Sequence, residues 1–221
     1  MRKGMKRVLI VGLVVAVMMT FAGCKKKEFD AAGYVKATLD MTMKGETEDY
    51  IKFVGCSKEE ALKDYEDTLD EAVEQFGEFG VNEEALEEFR QFSIDLYKAV
   101  KYEVKEAQKE KDGSYTVKVE TEKMNVFAGA MEKFEEAAES YVEEAVAAAL
   151  EGGEQLTDEK MAQDLYGKVI EFFKESLANA TYQEPTTVEV KVSQDDDGVW
   201  EIPEKDFEVL ELSLIDIDAM E

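Results

Sequence analysis

The chain has 221 residues with 26 Lys plus Arg against 52 Asp plus Glu, no histidine, and an apolar content of 45%. That much apolar residue excludes wholesale disorder, and a net charge of −26 excludes a nucleic-acid binder held by phosphate contacts. Without histidine, neither imidazole acid–base chemistry near neutrality nor a His-ligated zinc site can be built.

The N-terminus is a secretory signal. Arg2, Lys3, Lys6 and Arg7 precede an apolar run from Val8 to Phe21, which is too short for a membrane span of about 20 residues. The positive flank sets the orientation with the body outside. The run stops at Phe21-Ala22-Gly23-Cys24. This segment resembles bacterial lipoprotein signals, with Phe21 where Leu is usual. The resemblance implies cleavage before Cys24 and acyl chains, palmitate among them, on its sulfur and amino group. Two or more chains would hold the protein stably on the extracytoplasmic face of the cell membrane. Lys25, Lys26 and Lys27 follow at once and read either as a lipid-facing collar or as a solvated linker. The expected organisation is a signal peptide over 1–23, a short basic tether over 24–28 and a single α+β domain over 29–221. Cleavage removes four cations and no acids, which takes the net charge from −26 to −30.

Helical spacing begins at Phe29 and places Ala32, Val35, Leu39 and Met43 on one face before Gly45. Thr47 to Val54 predicts a short helix ended by Gly55. Ser57 and Glu60 form a capping box for a helix whose stripe is Leu62, Tyr65, Leu69, Val73 and Phe76. Asn82 caps the next, with Leu86, Phe89, Ser93, Leu96 and Tyr97. The period then becomes two: Val100, Tyr102 and Val104, a turn at Asp112-Gly113, then Tyr115, Val117 and Val119 predict a hairpin with one wet face. Helical spacing returns from Val126 to Leu150 and stops at Gly152-Gly153. Thr157 caps a helix carrying Met161, Leu165, Val169, Phe172, Phe173 and Leu177. A second hairpin runs from Pro185 through Val188, Val190 and Val192, turns at Asp195 to Gly198, and returns through Trp200 and Ile202. Pro203 suits the first turn of a final helix through Phe207 and Leu210.

A hairpin is marginal alone, so the expected fold is helix-rich α+β, the two hairpins joined in one antiparallel sheet and covered by helices on its apolar face. The order helix-helix-hairpin occurs twice, over 57–123 and 124–202. Ile94 to Lys98 is similar to Ile170 to Lys174, and Glu103-Val104-Lys105 matches Glu189-Val190-Lys191. Internal duplication and chance likeness of amphipathic elements both remain open. The TTVEVKV strand with the Asp-Gly-x-Trp-x-Ile return also resembles the terminal hairpin of small lipoprotein domains of Gram-positive type. These are often related to the cystatin-like, nuclear-transport-factor-like superfamily. That likeness implies a curved sheet around a helix, often with a pocket, and assigns no catalytic residue.

Candidate chemistry is sparse. Ser193 to Glu204 places Asp195, Asp197 and Glu204 at calcium-loop spacing around Gly198, although strands flank it and a hairpin turn favours Asp-Gly by itself. No metal or cofactor is expected. Cys56, the only thiol left beside an acylated Cys24, precedes a helix and reads mainly as a small hydrophobe. Arg90, alone of its kind after residue 23, is expected to pair on the surface with an acid such as Glu87 or Glu88. Trp200 reads as core. The expected function is a non-enzymatic binding or scaffold module for an envelope protein, peptide or small ligand. The alternatives are a carboxylate-pair glycan or cell-wall hydrolase and a cation-responsive acidic module.

Overall fold

A computed structural model describes residues 28–78, 80–127, 129–150 and 157–217. Cys24, the three lysines after it and Gly152-Gly153 lie outside these residues. Chain order is α1 (Ala31–Lys44), α2 (Tyr50–Val54), α3 (Lys58–Gly77), α4 (Glu83–Ala99), β1 (Lys101–Lys109), β2 (Tyr115–Glu122) and β3 (Met124–Asn125). It continues with α5 (Ala130–Leu150), α6 (Asp158–Ala178), β4 (Thr181–Tyr182), β5 (Thr186–Gln194), β6 (Trp200–Glu201) and α7 (Glu204–Leu214).

The fold is α+β, and the two hairpins do form one antiparallel sheet in the order β1-β2-β5-β6. Val117 faces Val190 and Val119 faces Val188 across the central pair. Val117 and Val119 of β2 and Val190 and Val192 of β5 are buried, whereas Lys118 and Glu189 point to water and pair with each other at 3.9 Å. A bulge between Val104 and Ala107 interrupts β1. The extra residue keeps Ala107 opposite Val117 and twists an otherwise long edge strand, which discourages pairing with another chain.

α1 and α7 cover the apolar face of this sheet. α1 buries ten of its fourteen residues. Its cap is Asp30, whose side chain accepts from Gly33 N at 2.8 Å, and it ends at Gly45 in a left-handed conformation (φ 69°). The expected capping box is present, Ser57 N donating to Glu60 at 2.8 Å and Glu60 N to Ser57 Oγ at 3.1 Å. Asn82 and Thr157 cap α4 and α6 as expected.

Three details differ from the sequence expectation and a fourth lies beyond it. The buried stripe of α3 is Ala61, Leu69, Ala72 and Phe76, and Leu62 is exposed. The small Ala61 lets α3 approach Ala37 and Met41 of α1, which rotates Leu62 outward. Val126 and Phe127 are not helical. They enter the core from a two-stranded sheet in which β3 pairs with β4, and Gly129 (φ 72°) turns the chain before α5 begins at Ala130. Pro203 caps α7 rather than occupying its first turn. Finally, the chain after α7 returns to the core, where Ile215 bridges Met124 in parallel.

The helices α3, α4, α6 and α5 lie side by side in that order, each packing on the next. Arg90 to Asp70 and the stacked rings of Phe76 and Phe89 set α3 and α4 antiparallel. Tyr141 to Asp164 and Lys133 to Glu175 do the same for α5 and α6. α4 and α6 both run down to the sheet, where Tyr182 Oη donates to the Ala99 carbonyl at 2.7 Å. α3 passes the end of α1, Tyr65 lying against Gly45, and continues for about 18 Å. The last turns of α3 and α5 therefore lie at the end opposite the β1–β2 and β5–β6 turns.

Candidate binding site at the turn end of the sheet

The β1–β2 turn is built by its own polar groups. Asp112 accepts from Ser114 N at 3.0 Å and from Ser114 Oγ at 2.6 Å, while Gly113 takes φ 91°. These bonds to Ser114 hold the Asp112 carboxyl below its ordinary pKa. Thr116 Oγ1 donates to Glu110 at 2.9 Å. From the neighbouring strand, Lys191 sends its ammonium toward Asp112 at 3.7 Å, and its backbone N–H donates to Asp206 of α7 at 2.8 Å. Together with Lys111 and Glu189 these groups line an open depression of about 680 Å³. Its walls carry four carboxylates and two ammonium groups, arranged by strand register and fixed turns. Such a surface can hold a small polar or zwitterionic group by paired charges. Sequence reasoning missed it because β2, β5 and α7 meet only in three dimensions.

Beneath this end lies an aromatic cluster. Phe29 stacks on Trp200 at 4.4 Å between ring centroids, and Tyr34, Phe53 and Tyr115 close around it. Glu28 is bound to Lys109 at 3.2 Å. The chain is thus locked into the fold within five residues of Cys24. Trp200 is core, as the sequence indicates, and its ring is not available to a ligand.

The other candidates are scattered. Asp195 uses one oxygen to accept from Asp197 N at 2.9 Å and Val199 N at 2.8 Å, so it builds its own turn. Among the described residues no three Asp, Glu, Cys or His side chains are placed to hold a metal ion, and Asp195, Asp197 and Glu204 do not converge. Cys56 packs on the small cluster of Ala37, Met41, Tyr50 and Ala61, and burial raises its thiol pKa, the opposite of activation. Arg90 pairs with Asp70 of α3 at 3.1 Å, across the helix pair rather than along its own helix. Glu88 instead accepts from Lys174 at 2.9 Å.

Two acids escaped sequence reasoning, one buried and one with a single buried oxygen. Asp40 on α1 receives Lys36, Lys44 at 3.0 Å and Tyr102 Oη at 2.6 Å. Burial alone would raise its pKa; the Lys36, Tyr102 and Lys44 bonds outweigh it and lower it. Spacing of Lys36, Asp40 and Lys44 at i, i+4, i+8 was the available signal. Glu211 on α7 is different. Its Oε2 is buried without a hydrogen-bond partner, and burial, with Glu208 nearby, pushes its pKa up to about 8. Its charge in turn helps burial raise Tyr97 to about 12. A carboxyl of that kind has the chemistry of a general acid, but Glu211 does not line the depression.

No family model matches the sequence, and no curated protein does. In fold the chain is similar to ycdA of Bacillus subtilis, a protein provisionally described as a lipoprotein and solved by crystallography at 2.62 Å. The match has a TM-score of 0.56 at 16% identity and covers 84% of this chain. The chain spans about half, 56%, of that protein's length. Among the described residues no helix is long and apolar enough to cross a membrane.

Proposed function

We propose that the chain is an extracytoplasmic lipoprotein, anchored through acylated Cys24, whose folded body binds or scaffolds rather than catalyses. One observation carries the reading. The body begins within five residues of Cys24, at the turn end of the sheet, so a tether of at most about 18 Å holds that end near the lipid. The fold shared with a protein described as a lipoprotein supports it. Lys25, Lys26 and Lys27 then lie where an anionic headgroup would attract them. The mixed-charge depression at the same end is the surface on which a small polar ligand or peptide terminus would sit. Kinship with the cystatin-like superfamily belongs to the same reading, supported by α1 lying across the apolar face of an antiparallel sheet.

Metabolic labelling with an alkyne fatty acid should mark the wild-type protein and leave Cys24→Ala unlabelled, with its signal peptide uncleaved. Labelling that survives the substitution would overturn the anchor. Purified protein incubated with cell-wall peptidoglycan should release no soluble sugar. Release would move the reading to a carboxylate hydrolase.

A further inference from the structure

The outermost helix, α5, has an open face. Among the described residues five large hydrophobic side chains are more than a third exposed, and three of them, Val142, Val146 and Leu150, lie four residues apart on α5. Successive steps of four turn only about 40° around a helix, so the three make one stripe roughly 12 Å long. Toward the base of the helix the same face continues through Glu139 and Glu135, both exposed. Lys133 turns away to Glu175 of α6 at 3.6 Å. The face is therefore apolar at the tip and purely acidic below.

We propose that this face docks a basic amphipathic helix of a partner protein, with apolar side chains on the tip and Lys or Arg beside Glu135 and Glu139. Charge decides among occupants. A second copy of the chain brings the same acids, no cation on this face and a net charge of −26, or −30 once residues 1–23 are removed, so self-pairing is repelled. An anionic lipid surface is repelled in the same way. The placement rests on the lipoprotein reading: with the sheet's turn end at the membrane, Leu150 lies at the far end of the α5–α6 hairpin, facing outward. A cationic helix satisfies both halves of the face at once, the mode in which an amphipathic helix lays its apolar side on a complementary surface.

The test uses the full-length purified chain and three labelled peptides of roughly 18 residues, long enough to be helical. One combines a Leu stripe with Lys, one has Glu in place of Lys, and one has Ser in place of Leu. By fluorescence anisotropy the Leu/Lys peptide should bind, and the other two should bind at least about tenfold more weakly. The double variant Val146→Ser/Leu150→Ser should weaken Leu/Lys binding about tenfold, and Glu135→Lys/Glu139→Lys should do so through charge, with melting curves confirming that both variants fold. Unchanged affinity in both variants overturns the proposal. So does concentration-dependent dimerisation abolished by Val146→Ser/Leu150→Ser, which would make a second copy the occupant. Variant-sensitive binding of the unacylated Cys24→Ala chain to phosphatidylcholine vesicles would assign the face to lipid and overturn it too. Mass spectrometry of Cys24 reads the anchor independently, and peptide affinity in Cys24→Ala should equal wild type, which separates the two failures.

Discussion

α1 and α5 are both amphipathic helices bordered by acids and alanines, yet the fold uses them differently. α1 is enclosed by the sheet, α2, α3 and α4, and even its Asp40 and Thr38 are buried. Among the described residues α5 packs extensively on α6 alone and leaves three large aliphatic side chains exposed. Helical periodicity reports that a face is apolar; it does not report how many neighbours will arrive to cover it. Position in the helix row decides that, because α4 and α6 have neighbours on both sides and α5 on one. The same contrast separates the two helix-helix-hairpin units. Helices pair in the order α3-α4-α6-α5, mirrored about the centre, whereas strands follow β1-β2-β5-β6, head to tail. The order of elements recurs; the packing around them does not.

The contrast between an enclosed end and an open end can be broken by mutation. Trp200→Ala at the enclosed end should cost about 3–5 kcal/mol, since it empties a site stacked by Phe29 and walled by Tyr115. Urea unfolding with an unchanged m-value would measure it. A loss under about 1 kcal/mol would mean that this end is not the core. Tyr102→Phe removes the hydroxyl that reaches Asp40 and should cost about 1.5–3 kcal/mol, as expected for a bond to a charged group.

Glu211 supplies a pH test of how α7 is docked. Its carboxyl ionises near the ordinary 4.5 in the unfolded chain and at about 8 in the fold. The unfolded state therefore releases the proton first, and folding stability falls as pH rises from about 4.5 to about 8, then levels. Glu211→Gln should remove that part of the slope and stabilise the protein at pH 8 by about 1–3 kcal/mol. Parallel thermal melts of wild type and variant across this range check the sign; parallel curves would place Glu211 in water. The smallest effect belongs to the open end. Val146→Ser should change stability by no more than about 0.5 kcal/mol, as for an exposed position. A larger loss would show that the α5 face is covered within the protein itself.

Much of the fold was legible in the chain. The caps at Ser57, Asn82 and Thr157, the alternation of Val117 and Val119 with Lys118, and the Asp-Gly turns are local signals, set by backbone geometry and side chains a few residues apart. The exposed Leu62 and the non-helical Val126-Phe127 were not legible. Each depends on a distant partner, the small Ala37 in one case and β4 in the other. The depression was hidden for the same reason, because its residues come from one turn, two strands and a helix.

The sequence by itself determined the charge, the absence of imidazole chemistry, the N-terminal address proposed through Cys24 and the kinds of elements that form, because these depend on composition and near neighbours. Only the tertiary structure decided which apolar faces are shared. It placed Asp40 among three donors, left the Oε2 of Glu211 with none, and set the start of the body and the exposed stripe of α5 at opposite ends. These outcomes follow from which elements pack together, and packing is a property of surfaces that meet across the chain rather than along it.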